Sequence, residues 1–514
     1  MKNLYKYIVF LFIVVFFIIG GYIYEPQQLI DHARVLNSVC EKEAVFTKAD
    51  LSNEIDELYR NVKNIPEVSS KILEKAKCIG ETESGEKLYT SLKYQRLEKA
   101  VLSKFRKILK NSTYVVCNPQ DVHNVLDSYS YLNNEQKKII TEVCNSKSNV
   151  NILIGRAGTG KTVTLKAIAE IYEKQGSKII GMSLSSIAAE NLEKIALIES
   201  NSIDYWVYHK WALKSKKDLK NGDIMLIDEA GMIGTDHWKK ILNAAEKFKM
   251  KIIIVGDCSQ FKPIAAGDCL RLFVKESPYF ELKTILRQET KWMREASLEF
   301  SKLNVKAALG MYNTNNKIHE TNNINFVVSK QYFDFEKLGN SVVLCYTKKE
   351  CNEINDEIRK IKKKANELGK DLFNINGKPF SKNEKIMFLK NNKEFDIKNG
   401  QMGIIKNYAN NILEIKTDSG TKKIDISVYD QIGYAYAITL HKSQGKTFDN
   451  VIVVGSPKMD SKAFYVAMTR HRNNVELFYR KSDFSSFNEL VNSASKYNFK
   501  NSLEDFKEYL ISFS

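Results

Sequence analysis

The stretch Asn151-Ile152-Leu153-Ile154-Gly155-Arg156-Ala157-Gly158-Thr159-Gly160-Lys161-Thr162 decides how this chain folds. Its apolar run, Ile152 to Ile154, reads as a short strand entering a glycine loop, Gly155 to Gly160. Lys161 and Thr162 follow, and a helix-period segment continues through Tyr172. Strand, loop and helix in that order are a physical recipe for holding a nucleoside triphosphate. The positions Gly155, Gly158, Thr159 and Gly160 let successive backbone N–H groups wrap the phosphates, and the new helix points its positive end at them. Lys161 then reaches the β/γ oxygens, and the Thr162 hydroxyl ligates Mg²⁺. A ligand-free glycine turn is the plain alternative; the ordered strand, loop and helix weigh against it.

The next segments narrow the chemistry. Ile224-Met225-Leu226-Ile227 reads as a buried parallel strand, with Asp228 and Glu229 at its carboxyl end, where open α/β sheets place their ligands. Asp228 suits a Mg²⁺-holding acid, and Glu229 a base that polarises the attacking water. Two acids at a strand end also suit the start of a loop; after a phosphate loop the catalytic reading prevails. Lys251 to Val255 is a further strand, and Gln260 beyond it is placed to feel the γ-phosphate. Arg287 and Arg470 are candidate arginine fingers, because a positioned guanidinium stabilises charge spread over the transferred phosphoryl. Either arginine alone reads more readily as a surface ion-pair residue.

Context separates the two. Leu132-Asn133-Asn134-Glu135-Gln136 precedes the glycine loop; IDEAGMI, GDCSQFKPI, LRQE, YAITLHKSQGKT (ending at Thr447) and YVAMTRHR follow it in order. This set resembles the superfamily I helicases of the RecD-like branch, and within it the helicase half of conjugative relaxase-helicases of the TraA/TraI type. IDEAGMIGT, Trp292 and the spaced Ala296, Ala307-Ala308-Leu309 segment support the narrower likeness, as do His32 to Leu51 and Gly85 to Leu102. The likeness runs from about His32 to Phe478.

That resemblance implies ATP and Mg²⁺ as cofactors, with Gln136 reading the adenine and Lys161, Thr162, Asp228 and Glu229 acting as above. Gln260, Arg287, Gln444 and Arg470 would sense the γ-phosphate, while His441, Lys442, Ser443 and Thr447 couple the site to a single strand. It implies an ATP-dependent motor on single-stranded DNA, 5′-to-3′, in conjugative transfer. A non-nicking, strand-gripping remnant and a repair or RNA motor of the same superfamily are the alternatives. The relatives' nicking domain uses clustered histidines and a tyrosine nucleophile. The seven histidines here are scattered, so nicking is not expected.

Composition agrees. The 514 residues exceed one ordinary domain, and 43% hydrophobic content builds real cores. A formal charge of +17 suits a polyanionic partner, though a Lys-, Asn- and Ile-rich chain also accumulates lysine through composition bias. Eight cysteines without a C-x-x-C pair argue against zinc or a disulfide framework and for a reduced, cytoplasmic body. Tyr7 to Tyr24 is almost unbroken apolar sequence behind Lys2 and Lys6, which reads as a membrane tether, to the inner membrane, or a gene-fusion remnant.

The expected layout is α/β: two RecA-like doubly wound P-loop domains, an SH3-like β-barrel insert and an N-terminal helical domain. Boundaries fall at 1–24 for the hydrophobic segment, 25–125 for the helical domain and 126–290 for the first α/β domain. The second α/β domain takes 291–373 and 430–490, the insert 374–429, and a helical tail 491–514. Asn399-Gly400 is read as the insert's hairpin turn. The basic run Arg359 to Lys364 reads mostly as a solvated helix face. Trp206 and Trp211, beside the lysines from Lys214 to Lys220, suit base stacking and core packing equally.

Overall fold

In a computed structural model, residues 30–59, 62–82, 85–111, 115–210, 219, 221–496 and 502–506 are described. The chain divides into two compact units, one of residues 1–96 with 501–514, the other of residues 97–500. Tyr7 to Tyr24 lies outside the described residues; among those described, no helix is long and apolar enough to cross a membrane.

In the smaller unit, helices His32–Lys42, Lys48–Leu58 and Ile65–Leu73 pack around Val35, Leu51, Ile55 and Ile72, all fully buried. Asp31 caps the first helix, and Thr47 with Asp50 forms a capping box on the second. An antiparallel hairpin, β1 (Lys77–Glu81) and β2 (Lys87–Thr90), joins them, so the unit is not purely helical. The unit ends at Arg96, not near residue 125. Phe105 stacks on Phe273 at 4.1 Å, and Val122, Val125 and Leu126 enter the core of the first α/β domain. Helical periodicity reveals that such segments bury a face but not which core receives it.

The first α/β domain is a six-stranded parallel sheet in the order β5-β4-β6-β7-β3-β8. Its strands are β3 (Val150–Gly155), β4 (Ile179–Ser183), β5 (Glu199–Ser202), β6 (Ile224–Ile227), β7 (Lys251–Gly256) and β8 (Tyr279–Leu282). β6 and β7 are buried along their whole length, which is why they read as continuous apolar runs. The chain leaves β3 for β4 on one side and later reaches β8 on the other. That reversal opens a crevice above the carboxyl ends of β3, β6 and β7.

The second α/β domain repeats the plan with β9 (Ile318–Thr321), β10 (Ser341–Cys345), β18 (Ala437–Thr439), β19 (Phe448–Val454) and β20 (His471–Arg480). All are parallel, in the order β18-β10-β19-β20-β9. Thr347 caps the helix Lys348–Lys364 with Glu350 as its capping-box partner. On that helix the basic run is only partly solvated: Lys360 and Lys364 are exposed, but other members are drawn into ion pairs. Lys362 is 6% exposed and pairs with Glu336 and Glu367, and Arg359 pairs with Asp371 and Glu384.

Between these strands lies the insert: a hairpin of β11 (Asp371–Ile375) and β12 (Lys378–Ser381), then an antiparallel meander. The meander comprises β13 (Lys385–Phe388), β14 (Met402–Ala409), β15 (Ile412–Thr417), β16 (Gly420–Asp425) and β17 (Ile432–Tyr434). Its order, β16-β15-β14-β13-β17, makes a five-stranded antiparallel sheet. Asn399-Gly400 ends a long β13–β14 connection instead of forming its apex. Asn410-Asn411 forms a tight hairpin, both residues at positive φ, because two such residues match the strand twist.

Candidate functional site

A cavity of about 440 Å³ lies where the two α/β domains face each other. Its floor is the loop after β3. Lys161 opens the helix Lys161–Lys174, and its ammonium donates to the carbonyls of Gly155 at 2.6 Å and Arg156 at 3.2 Å. Gly158 stands at φ +83°, and its carbonyl accepts from the backbone N–H groups of Leu286 and Arg287. The β8 exit segment is thereby strapped onto the phosphate loop.

From the end of β6, Asp228 and Glu229 reach the same cavity. Glu229 sits at φ 53°, a left-handed conformation that costs a non-glycine residue energy and turns the chain sharply at the cavity wall. Burial, reinforced by the Glu229 charge, raises the Asp228 carboxyl to about 7; Lys161 and the Glu229 N–H pull against that rise. An acid strained in this way favours a cation beside it. Gln260, beyond β7, donates from Nε2 to Asp257 Oδ2 at 3.1 Å, and its buried Oε1 has no partner among the described residues.

The second domain supplies the opposite wall. Arg470 lies between the helix Ser461–Met468 and β20, 2% exposed, with Nε donating to Val466 O and Nη2 buried without a partner among the described residues. Arg287 donates from Nη1 to Thr469 O at 2.7 Å. Burial and the neighbouring Arg470 press the Arg287 guanidinium down to about 9. Two guanidiniums facing one cavity repel each other, and a polyanion between them relieves that cost. Next to them His471 is fully buried; burial and Arg287 drive its imidazole to about 3, so it is neutral.

The cavity thus brings together Gln136, Gly158, Thr159, Gly160, Lys161, Thr162, Asp228, Glu229, Gln260, Arg287 and Arg470. Gly155 does not line it, but holds the Lys161 ammonium through its carbonyl. Gln444 lines an adjoining cavity of about 180 Å³ with Ser185, Asn399, His441, Lys442 and Lys446, and Glu229 lines both. Both amide atoms of Gln444 are buried without partners among the described residues. Thr447 reaches the main cavity, while Ser443 is buried and bonds Leu440 O. Gln136 is engaged at both ends of its amide, donating to Thr159 O at 3.3 Å and accepting from the Asn133 N–H at 3.1 Å.

Sequence reading missed the apolar lip of Tyr131, Ile195 and Leu286, three exposed side chains at the mouth. It also missed Tyr465, whose hydroxyl lies 2.7 Å from Asp257 Oδ2 and 2.8 Å from the Ala157 nitrogen. No pattern marks the lip; Tyr465 stands in the run YVAMTRHR without a spacing of its own. Trp206 is 2% exposed, its Nε1–H donating to Gly181 O, so it is a core residue; Trp211 and Lys214 to Lys220, Leu219 aside, lie outside the described residues. Among the described residues no His/Cys/Asp/Glu cluster could hold a metal, and all eight cysteines are free.

Known proteins resemble segments of both α/β domains. Residues 131–323 match an AAA domain model, and residues 434–477 match a UvrD-like helicase C-terminal domain. The chain is 31% identical to the conjugal transfer protein TraA of Agrobacterium fabrum over 73% of its own length and 35% of the relative's. It is 23% identical to the RecBCD enzyme subunit RecD of Buchnera aphidicola (subspecies Acyrthosiphon pisum) over 66% of this chain and 71% of that one. A crystal structure of Pif1 helicase from Candida albicans aligns over 74% of this chain and 99% of its own, at 17% identity and a TM-score of 0.49. The chain spans 35% to 43% of the length of the TraA relatives it matches.

Proposed function

We propose that this chain, which belongs to the RecD-like branch of the superfamily I helicases and is related to the helicase part of TraA, is an ATP-driven motor on single-stranded DNA. The observation that carries the reading is the two-sided cavity. A phosphate loop, two acids and Arg287 from one domain face Arg470 from the other. Such a site binds triphosphate best when the domains are closed, and loses part of its hold once the γ-phosphate leaves. Hydrolysis thereby alternates closure and opening.

In this reading the backbone N–H groups from Gly158 to Thr162 and the Lys161 ammonium hold the phosphates. Thr162 and Asp228 would hold Mg²⁺, which when bound neutralises charge on the β and γ oxygens. The Asp228 carboxyl and the Thr162 hydroxyl, which line the same cavity, are the oxygen donors a hard cation prefers. Glu229 orients and deprotonates the attacking water, and Gln260, Arg287 and Arg470 gather on the γ-phosphate. The adjoining cavity, with Lys442, Lys446 and Gln444, takes backbone phosphates of a single strand, so binding is largely independent of base sequence and sensitive to salt.

A 5′-to-3′ direction and a role in conjugative transfer are part of the proposal; similarity to TraA supports the second. The test is ATP turnover with and without oligonucleotide, for the wild type and Lys161→Ala. Stimulation by single-stranded DNA that vanishes in the variant, with its fold retained, supports the motor. Equal turnover in both proteins defeats it. Tailed DNA and RNA duplexes of both polarities then separate direction and substrate.

A further inference from the structure

We infer that Tyr465 is a positioning residue for ATP hydrolysis, its hydroxyl tying the phosphate loop at Ala157 to Asp257 and so setting Gln260 and the Arg470 turn against the γ-phosphate. The inference rests on the hydrolytic reading above and adds to it the part that makes domain closure and catalytic geometry one event.

Tyr465 belongs to the second α/β domain, in the helix Ser461–Met468, while Ala157 and Asp257 belong to the first. The phenol is fully buried, and its hydroxyl is satisfied twice across the cleft. It donates to Asp257 Oδ2 at 2.7 Å and accepts the Ala157 N–H at 2.8 Å. A hydroxyl has a single proton to give, so this assignment is fixed by its partners: the carboxylate accepts and the amide donates.

Each partner leads to the reacting phosphate. Ala157 is the loop residue before Gly158, so its position sets the curvature of the phosphate cradle. Asp257 Oδ2 also accepts from Gln260 Nε2 at 3.1 Å, which holds that amide at the cavity wall. Arg470 follows Tyr465 by five residues and is anchored to the same helix through Val466 O. A rotation of the second domain that breaks the Tyr465 bonds therefore moves the arginine away and removes the hydroxyl that fixes the Asp257 carboxylate, and with it the placement of Gln260, in one step. Burial and the Asp257 charge both oppose ionisation of the phenol, so the proton stays on the hydroxyl.

Two single variants, Tyr465→Phe and Asp257→Asn, and their double form the test, with kcat and KM for ATP measured with and without oligo(dT). Tyr465→Phe keeps the ring and removes one oxygen. Its kcat with oligonucleotide should fall about tenfold, the scale of one hydrogen bond to a charged group, while KM for ATP stays within about twofold. The double variant should be no slower than the slower single, because both cut the same link. A merely structural role lowers the melting temperature and leaves kcat per folded molecule unchanged, which overturns the inference; so do losses that multiply in the double. If Tyr465→Phe does not fold, Asp257→Asn carries the same kcat-against-KM readout. A wild type that oligonucleotide does not stimulate ends the motor reading and this inference with it; a stimulated wild type matched by Tyr465→Phe ends this inference alone.

Discussion

Lys398 of the insert places its ammonium 3.2 Å from Glu190 on the helix Ser186–Ala196 of the first α/β domain. Close by, Gly400 approaches Ile187, and the Lys446 ammonium donates to Gly400 O at 2.6 Å. The β13–β14 connection is therefore held from both domains. Burial works against the Glu190 charge, but Lys194 and Lys398 hold its carboxyl below the ordinary range. Partly exposed pairs of this kind contribute little to global stability. Their effect is felt where two bodies must separate. Lys398→Ala should leave the melting temperature nearly unchanged and raise KM for ATP about two- to threefold at low salt, an effect that disappears as screening grows. A KM shift that persists at about 1 M salt would mean that the loop acts through packing instead.

Arg470 and Arg287 line one cavity from different domains and differ in their bonds. Arg287 is tied to Thr469 O and also braces the phosphate loop, through its backbone N–H to Gly158 O. Arg470, anchored by its Nε to Val466 O, has in Nη2 a buried nitrogen without a partner among the described residues, which a ligand oxygen can meet. Arg470→Ala should bind ATP nearly as well as the wild type and hydrolyse it about 10³-fold more slowly. Arg287→Ala should lose both, since it also loosens the loop. Fluorescent-nucleotide titration beside steady-state turnover reads the difference. Loss of binding in Arg470→Ala would make that residue structural.

The adjoining cavity gives a pH dependence of definite sign. Burial, with Lys385 and Lys442 nearby, pushes the Lys446 ammonium down to about 8. A DNA phosphate placed there favours the charged form, so binding takes up a proton once the free lysine begins to lose its own. Affinity for single-stranded DNA should hold steady up to about pH 8 and then weaken, approaching tenfold per unit. Lys446→Met should bind more weakly at neutral pH and show no such decline. Anisotropy of a labelled oligonucleotide at constant ionic strength checks this. A wild type that is flat through about pH 9.5 would remove Lys446 from the strand path.

The parts legible in the sequence are those whose chemistry is local. The glycine loop, Asp228 and Glu229 announce themselves because strand ends in an α/β sheet fall at its crevice. Arg287 and Arg470 needed their flanking runs, since a lone arginine has no local signature. What stayed hidden depends on pairing over long separations. Tyr465 meets Ala157 across 308 residues, and nothing in either segment marks the other. Phe105 reads as one more apolar helix residue until Phe273 is found against it. Trp206, open to two readings as a sequence, is settled by one bond to Gly181 O. Lys362 reads as solvated because charge runs usually are, and only the fold brings Glu336 and Glu367 to it.

Gly158 and Gly176 allow the loop's geometry to be separated from simple backbone strain. Both lie at positive φ, +83° and +75°, where any L side chain costs about 1–2 kcal/mol. A methyl group on Gly176 would meet nothing within 4 Å. On Gly158 it would fall 2.5 Å from Arg287 Cβ, on the segment that bonds the Gly158 carbonyl through two N–H groups. Gly176→Ala should therefore lower the melting temperature by a few degrees and leave turnover per folded molecule unchanged. Gly158→Ala should show a similar thermal loss and, in addition, lose nucleotide binding and oligonucleotide-stimulated turnover, because Leu286 and Arg287 are driven off the loop. Equal turnover in the two variants would show that the strap between the phosphate loop and the β8 exit segment has no part in catalysis.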